Sequence, residues 1–164
     1  MRRKPTLLLT LLLTAILTSC STIDCPVQNT VSTYYALKDS VQGDYTLNGD
    51  TIDVYTRQRS GKDTLILNQL VNGSTFSLPI GYTNPEDTLY FKLRRDTVET
   101  VDTVWIKKEN MPHFESVDCS AAYFHEITDI RYTAHGLDSI VINNHTVDYD
   151  AKAQHFYLYL KARH

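Results

Sequence analysis

Apolar and polar residues alternate in steps of two through most of the chain. In Asp87–Arg94, Leu89, Phe91 and Leu93 fall on one side, and Thr88, Tyr90, Lys92 and Arg94 on the other. That is the period of a half-buried β-strand. Residues 50–55 send Ile52 and Val54 inward, residues 102–107 do the same with Val104 and Ile106, and Phe156, Leu158 and Leu160 alternate with Tyr157, Tyr159 and Lys161. Further strands are predicted at 31–37, 63–71, 75–80, 122–133 and 138–143. Gly, Asn, Asp and Pro separate these runs, and a helical period is weak beyond the first twenty residues. Eight or nine short strands predict an all-β domain: an antiparallel β-sandwich, immunoglobulin-like or related, with a small β-barrel as the alternative.

The exceptional segment is the start. Arg2, Arg3 and Lys4 precede an apolar stretch, Leu7 to Leu17, diluted by Thr10 and Thr14. A spanning helix needs about 20 residues, so this stretch reads instead as an export signal that is removed. Leu17-Thr18-Ser19-Cys20 resembles a bacterial lipobox. The resemblance implies a signal peptide over 1–19 and a lipid on Cys20 as the new N-terminus, and the length left, 20–164, suits a single β-rich domain. An ordinary secretory signal with an incidental cysteine is the alternative. Each buried methylene contributes about 0.8 kcal/mol, and two or more acyl chains hold where one binds reversibly. The expected membrane contact is therefore a tether through Cys20.

With Cys20 taken by lipid, two of the three cysteines remain, Cys25 and Cys119. An even pair in an exported chain reads as a disulfide, and the contexts Ile23-Asp24-Cys25 and Val117-Asp118-Cys119 are alike. Two free thiols, or a metal site that two cysteines cannot complete, are the alternatives. A bridge would close a loop worth roughly 4–5 kcal/mol in chain entropy. The five residues from Cys20 to Cys25 reach under about 18 Å, which would hold the body close to the bilayer. A single carboxylate, Asp24, follows Cys20 in this stretch, where surface-displayed lipoproteins of Bacteroidetes-type bacteria carry an acidic run. The periplasmic side of the outer membrane is thus expected.

Charge narrows the partners. Loss of the signal leaves 13 basic against 19 acidic residues, a net charge of −6, with no basic stripe for nucleic acid. Many of the carboxylates recur in one device, Asp-Thr followed by an aliphatic residue, at 50–52, 63–65, 87–89, 96–98 and 102–104, with Asp138-Ser139-Ile140 as a variant. Asp closes turns by bonding backbone just ahead, and Thr favours extended geometry. These aspartates are therefore expected to punctuate strand starts rather than bind calcium or catalyse.

Little else carries chemistry. There is no phosphate cradle, GxSxG elbow or HExxH pair. His125-Glu126-Ile127-Thr128-Asp129 lacks the second histidine, and the histidines at 113, 125, 135, 145, 155 and 164 are spaced as solvated loop residues. Asp148 and Asp150 read as a polar turn before the last strand. No metal or other cofactor is expected, and an enzyme acting on envelope sugar or peptide, or a metal-handling protein, are the rival readings. Strand parity instead puts Tyr55, Tyr90, Trp105, Tyr157 and Tyr159 on outer faces, where rings with a polar handle suit a glycan, peptide or protein partner. Cross-strand packing is the alternative. If 87–94 and 102–108 form a hairpin, Tyr90 and Trp105 share one face.

The stretches CSTIDCPVQNTVSTYYAL (20–37), GYTNPEDTLYF (81–91), DTVWIKKENMPHFESVDC (102–119), DSIVI (138–142) and VDYD (147–150) resemble a family of uncharacterised lipoproteins of Bacteroidetes-type bacteria, a domain of unknown function. The resemblance runs over nearly the whole mature chain. It implies the lipidated start, the Cys25–Cys119 pair and a periplasmic β-rich domain, and it carries no catalytic residue. Together these features predict a non-catalytic lipoprotein of the outer membrane with a binding or structural role in the envelope.

Overall fold

The structure, a computed structural model, describes residues 25, 30–39, 43–58 and 60–162. Residues 1–19 and Cys20 lie outside them. Eleven strands and no helix occur among the described residues: β1 (Ser32–Asp39), β2 (Gly43–Asp44), β3 (Thr51–Arg57), β4 (Asp63–Val71), β5 (Thr75–Pro79), β6 (Glu86–Arg95), β7 (Val98–His113), β8 (Ala122–Tyr132), β9 (Leu137–Ile142), β10 (Thr146–Val147) and β11 (Phe156–Leu160). All nine strands predicted from alternation are present. β2 and β10, two residues each, are too short to show a period.

The strands form two sheets packed as a sandwich. The larger runs β10-β8-β7-β6-β3-β4 and is antiparallel throughout. In the smaller, β11 lies between β1 and β9, while β2 and β5 share the other edge of β1. The pair β1–β11 is parallel, Tyr35 beside Phe156 and Leu37 beside Leu158, so this sheet departs from the expected all-antiparallel pairing. The reason is topological: the two strands lie at opposite ends of the domain's sequence and no hairpin joins them.

Alternation sends one side of each sheet into a common core. Ile52, Val54, Leu89, Phe91, Leu93, Val104, Ile106 and Ile127 from the larger sheet meet Tyr35, Leu37, Phe76, Leu78, Leu137, Ile140, Phe156 and Leu158 from the smaller. Aromatic rings bridge the layers. Tyr35 stacks on Phe76 and on Phe156, each at 4.9 Å, and lies 5.9 Å from Phe91 in the opposite sheet. The Tyr35 hydroxyl is 3.2 Å from Thr33 Oγ1, itself 3.2 Å from the Leu78 carbonyl. Both bonds form only if Tyr35 donates to Thr33 and Thr33 donates to Leu78.

β7 is longer than its alternation suggested. It starts at Val98, so Asp102 lies within the strand rather than at its start. Its carboxylate accepts the backbone N–H groups of His135 (2.6 Å), Gly136 (2.8 Å) and Leu137 (2.8 Å) and the hydroxyl of Thr133 (2.9 Å), which fixes the β8–β9 connection. Burial pushes this carboxyl up, but the four donors together hold it below its ordinary range. Asp53 similarly accepts the N–H of Gln69, a residue at φ 50°, and pairs with Arg94. Asp50 pairs with Arg95 across the sheet. Asp102 and Asp50 thus clamp remote backbone and a cation, where local turn closure was expected, and Asp53, outside the Asp-Thr device, does the same. The expectation that Asp102 and Asp50 are structural holds in a different form.

Candidate functional site

Tyr55, Tyr90 and Trp105 lie on the outer face of the larger sheet. β3 and β6 align Tyr55 directly with Tyr90, and their rings stack at 5.0 Å with planes 15° apart. β6 and β7 set Thr88 opposite Trp105 and Tyr90 opposite Thr103, so Tyr90 and Trp105 are diagonal neighbours on one face. The ring faces have partners: the Arg57 guanidinium is 5.5 Å from the Tyr90 ring and that of Arg131 is 5.1 Å from Trp105. Arg131 in turn bonds Glu86 at 2.9 Å, and Arg57 bonds Asp63 at 2.8 Å. This row of rings and cations is a cross-strand ladder.

Tyr157 and Tyr159 belong to the smaller sheet, so the five candidate aromatics divide between two sheets. Tyr157 lies beside Ala36 and Val141, and Tyr159 beside Lys38 and Ser139. Lys38 Nζ sits 4.6 Å from the Tyr157 ring and pairs with Asp44. Tyr159 lines a cleft of about 470 Å³ with Lys38, Asp39, Tyr45, Arg95 and Asp138. An adjoining cleft of about 390 Å³, lined by Val98, Thr100 and His135, shares Arg95 and Lys161 with it. The cations here are engaged: Arg95 also donates to the Lys161 carbonyl at 2.5 Å, and Lys161 Nζ donates to the Ala134 carbonyl at 2.6 Å.

The histidines divide. His113 and His135 are exposed at their tips, whereas His125 and His155 are buried to 1 % and 0 % exposure. Solvated positions were expected for all of them, and these two are corrections; His164 lies outside the described residues. The reason is that each imidazole substitutes for backbone. His155 Nδ1 accepts the Tyr34 N–H at 3.0 Å while Nε2 donates to the Thr146 carbonyl at 3.1 Å, tying β1, β10 and β11 together. That set of bonds requires the neutral ring. His125 Nδ1 lies 2.7 Å from Asn110 Oδ1 on the neighbouring strand. Burial, reinforced by the nearby Lys108 cation and opposed by Asp87, lowers the His125 pKa to about 4.

Two His–carboxylate contacts superficially suit catalysis, His113 Nε2 with Glu115 Oε1 at 3.1 Å, both exposed and two residues apart, and His135 Nδ1 with Asp102 Oδ1 at 3.2 Å. Asp102, however, is saturated by loop donors, as above, and acts as a clamp. Among the described residues, no group of three or more His, Cys, Asp or Glu side chains is placed to hold a metal ion. Asp148 and Asp150 accept the N–H groups of Asp150 and Lys152 respectively, which makes them turn residues.

The two remaining cysteines meet at one end of the sandwich. Cys25 and Cys119 are disulfide-bonded, with Cα atoms 5.5 Å apart. The bridge fastens the approach to β1, in the smaller sheet, to the β7–β8 connection of the larger. At the same end of β7 and β8 is a cluster that alternation alone did not single out. His113 stacks on Phe124 at 4.2 Å, Tyr149 meets Phe124 edge-on at 4.9 Å, and Tyr82 stacks on Tyr123 at 4.7 Å. A sign of it was available in Pro112-His113-Phe114-Glu115, two apolar residues in a loop-like run.

A model of a family of unknown function, DUF6452, matches residues 51–160, from the start of β3 to the end of β11. The chain belongs to this family. The DUF6452 match includes Cys119 and both edges of the larger sheet, while Cys20, Cys25, β1 and β2 precede it. No curated protein and no solved structure matches the chain. For this DUF6452 member the chemistry must therefore be argued from its own residues, and these supply half-buried aromatic ladders, shallow polar clefts and a disulfide-bound aromatic end. No helix among the described residues is long and apolar enough to cross a membrane.

Proposed function

We propose that this DUF6452 protein is a lipoprotein of the outer membrane, anchored through Cys20 and facing the periplasm, with a non-catalytic binding or structural role toward an envelope protein or glycan. The observation that carries the reading is the Cys25–Cys119 bridge. Such cross-links persist in oxidising compartments and are rare in the cytosol, and this one begins five residues after the lipobox-like Cys20. A binding role draws support from tyrosines and a tryptophan at the sheet surfaces, where rings with polar tips favour mixed partners. The buried carboxylate beside a histidine, Asp102, serves a loop instead.

Crosslinking in intact cells followed by mass spectrometry of captured species tests partner and location together. The reading expects envelope proteins or glycans among the products, and the mature chain is expected to begin at Cys20 with acyl mass on its first peptide. A Cys20 peptide without acyl mass overturns the anchor. Capture of cytosolic partners alone overturns the location.

A further inference from the structure

We propose that the β7–β8 connection, with Phe114 and Val117 beside Cys119, seats against the surface of the membrane that holds the lipid. The inference rests on the anchor at Cys20 and adds the orientation of the body. Its structural basis is the exposure of large apolar side chains at the disulfide end: Phe114 is 62 % and Val117 97 % exposed, with Met111 and Tyr149 exposed nearby. Met111 lies directly across from Phe124, the ring on which His113 stacks and which Tyr149 meets edge-on. Val117 is two residues from Cys119 and Phe114 five.

Chain length selects the membrane as occupant. Five residues separate Cys20 from Cys25, a reach of under about 18 Å, and Cys25 is fixed covalently to this same connection. The connection is therefore held beside the bilayer whatever the rest of the domain does. A few exposed apolar side chains bind an interface weakly on their own. Tethering makes that contact intramolecular, and a high effective concentration then suffices to populate it. Glu115 and Asp118 in the same loop argue against attraction to anionic lipid, so the contact is apolar and shallow. Val98 and His113 are the two ends of β7, sixteen residues long. At about 3.3 Å per residue they are separated by up to roughly 50 Å, which points the Val98 end away from the bilayer.

The test uses the full chain, expressed with its own start, recovered from membranes and reconstituted in vesicles of phosphatidylethanolamine and phosphatidylglycerol. Trp105→Phe removes the native tryptophan. Val117→Trp or Val98→Trp then supplies a single reporter at either end of the domain. Both sites are exposed, and near-ultraviolet circular dichroism with thiol titration checks that fold and bridge are intact. Lipids brominated on their acyl chains are expected to quench the emission of the Val117→Trp variant at least twofold. The emission of the Val98→Trp variant is expected to stay within about a tenth of its unquenched value. Absence of quenching in the Val117→Trp variant, or equal quenching in both, overturns the orientation while an acylated Cys20 peptide leaves the anchor standing. A Cys20 peptide without acyl mass overturns both.

Discussion

The ammonium of Lys108, on the inner side of β7, is wholly enclosed by protein and lies 3.0 Å from the carboxylate of Asp87 on β6. It also donates to the Asn84 carbonyl at 3.1 Å, and Asp87 accepts the Gly81 N–H at 2.9 Å. The pair thus secures the β5–β6 connection to the end of the core. Its two members differ in enclosure, since Asp87 retains partial solvent contact.

That asymmetry yields a prediction. Removing one partner of a buried pair leaves an uncompensated charge, at a cost of about 3–5 kcal/mol. Asp87→Asn strands the enclosed ammonium and is expected in that range. Lys108→Met leaves a carboxylate that still has the Gly81 N–H and some water, and is expected to cost about 2 kcal/mol. The double variant Lys108→Met with Asp87→Leu is expected to be more stable than Asp87→Asn alone. Urea denaturation of all three measures the order, and equal losses for the single variants would refute it.

Acid should weaken the fold through its buried histidines. The His125 pKa is lowered to about 4 from an ordinary 6.5, and that of His155 is lowered, in each case chiefly by burial. The unfolded chain therefore binds protons that the folded chain refuses. The contribution of each ring is complete above pH 6.5 and is lost as pH falls toward its folded value. For His125 the loss between pH 7 and pH 5 is about 2 kcal/mol. Groups facing it include Lys108, which reinforces the effect, and Asp87, which opposes it. Urea midpoints at pH 7 and pH 5 are expected to drop for the native chain. The drop should be smaller in His125→Gln, and an identical pH dependence would remove His125 from the account.

How far these residues could be read in advance depended on the range of the cause. Alternation reports a local fact, which side of a strand faces the core, and it located β3, β6, β9 and β11 and put Tyr90 and Trp105 on one face. It carries no information about which strand lies beside which. The parallel pairing of β1 with β11 was therefore invisible, as was the assignment of Tyr157 and Tyr159 to a different sheet from Tyr55. Asp102 belongs to the Asp-Thr device read as structural, but its partner Gly136 is 34 residues away, and Asp53, outside that device, bonds Gln69 16 residues away. His155 looked like a loop residue because its burial depends on Tyr34, 121 residues earlier.

The same long-range dependence makes Gly136 intolerant. A Cβ there would stand 2.3 Å from Thr100 Oγ1 and 3.1 Å from Leu93 Cδ2, while the backbone is held by Asp102 on one side and by the Lys161 N–H on the other. Gly136→Ala is expected to cost about 1–3 kcal/mol, the usual range for overpacking. Adding Thr100→Ala removes the nearest atom and should recover part of the loss. Thermal unfolding of the single and double variants measures it, and no recovery would assign the cost to the backbone instead.

The bridge between Cys25 and Cys119 spans 94 residues of sequence, and β1 begins seven residues after Cys25. Opening it frees a long loop in the unfolded chain, where the chain-entropy account gives about 4–5 kcal/mol of lost stability. The folded body should change little, because β1 is also held by its pairing with β5 and β11 and by the burial of Tyr35 and Leu37. The unfolded state, no longer cross-linked, exposes more surface, so the urea slope should rise while the midpoint falls. Cys25→Ser with Cys119→Ser is the cleaner comparison, since it leaves no free thiol of the pair to react. If midpoint and slope both stay unchanged in that variant, the bridge does not act through the unfolded chain, and its remaining role would be to hold the β7–β8 connection beside the proposed tether.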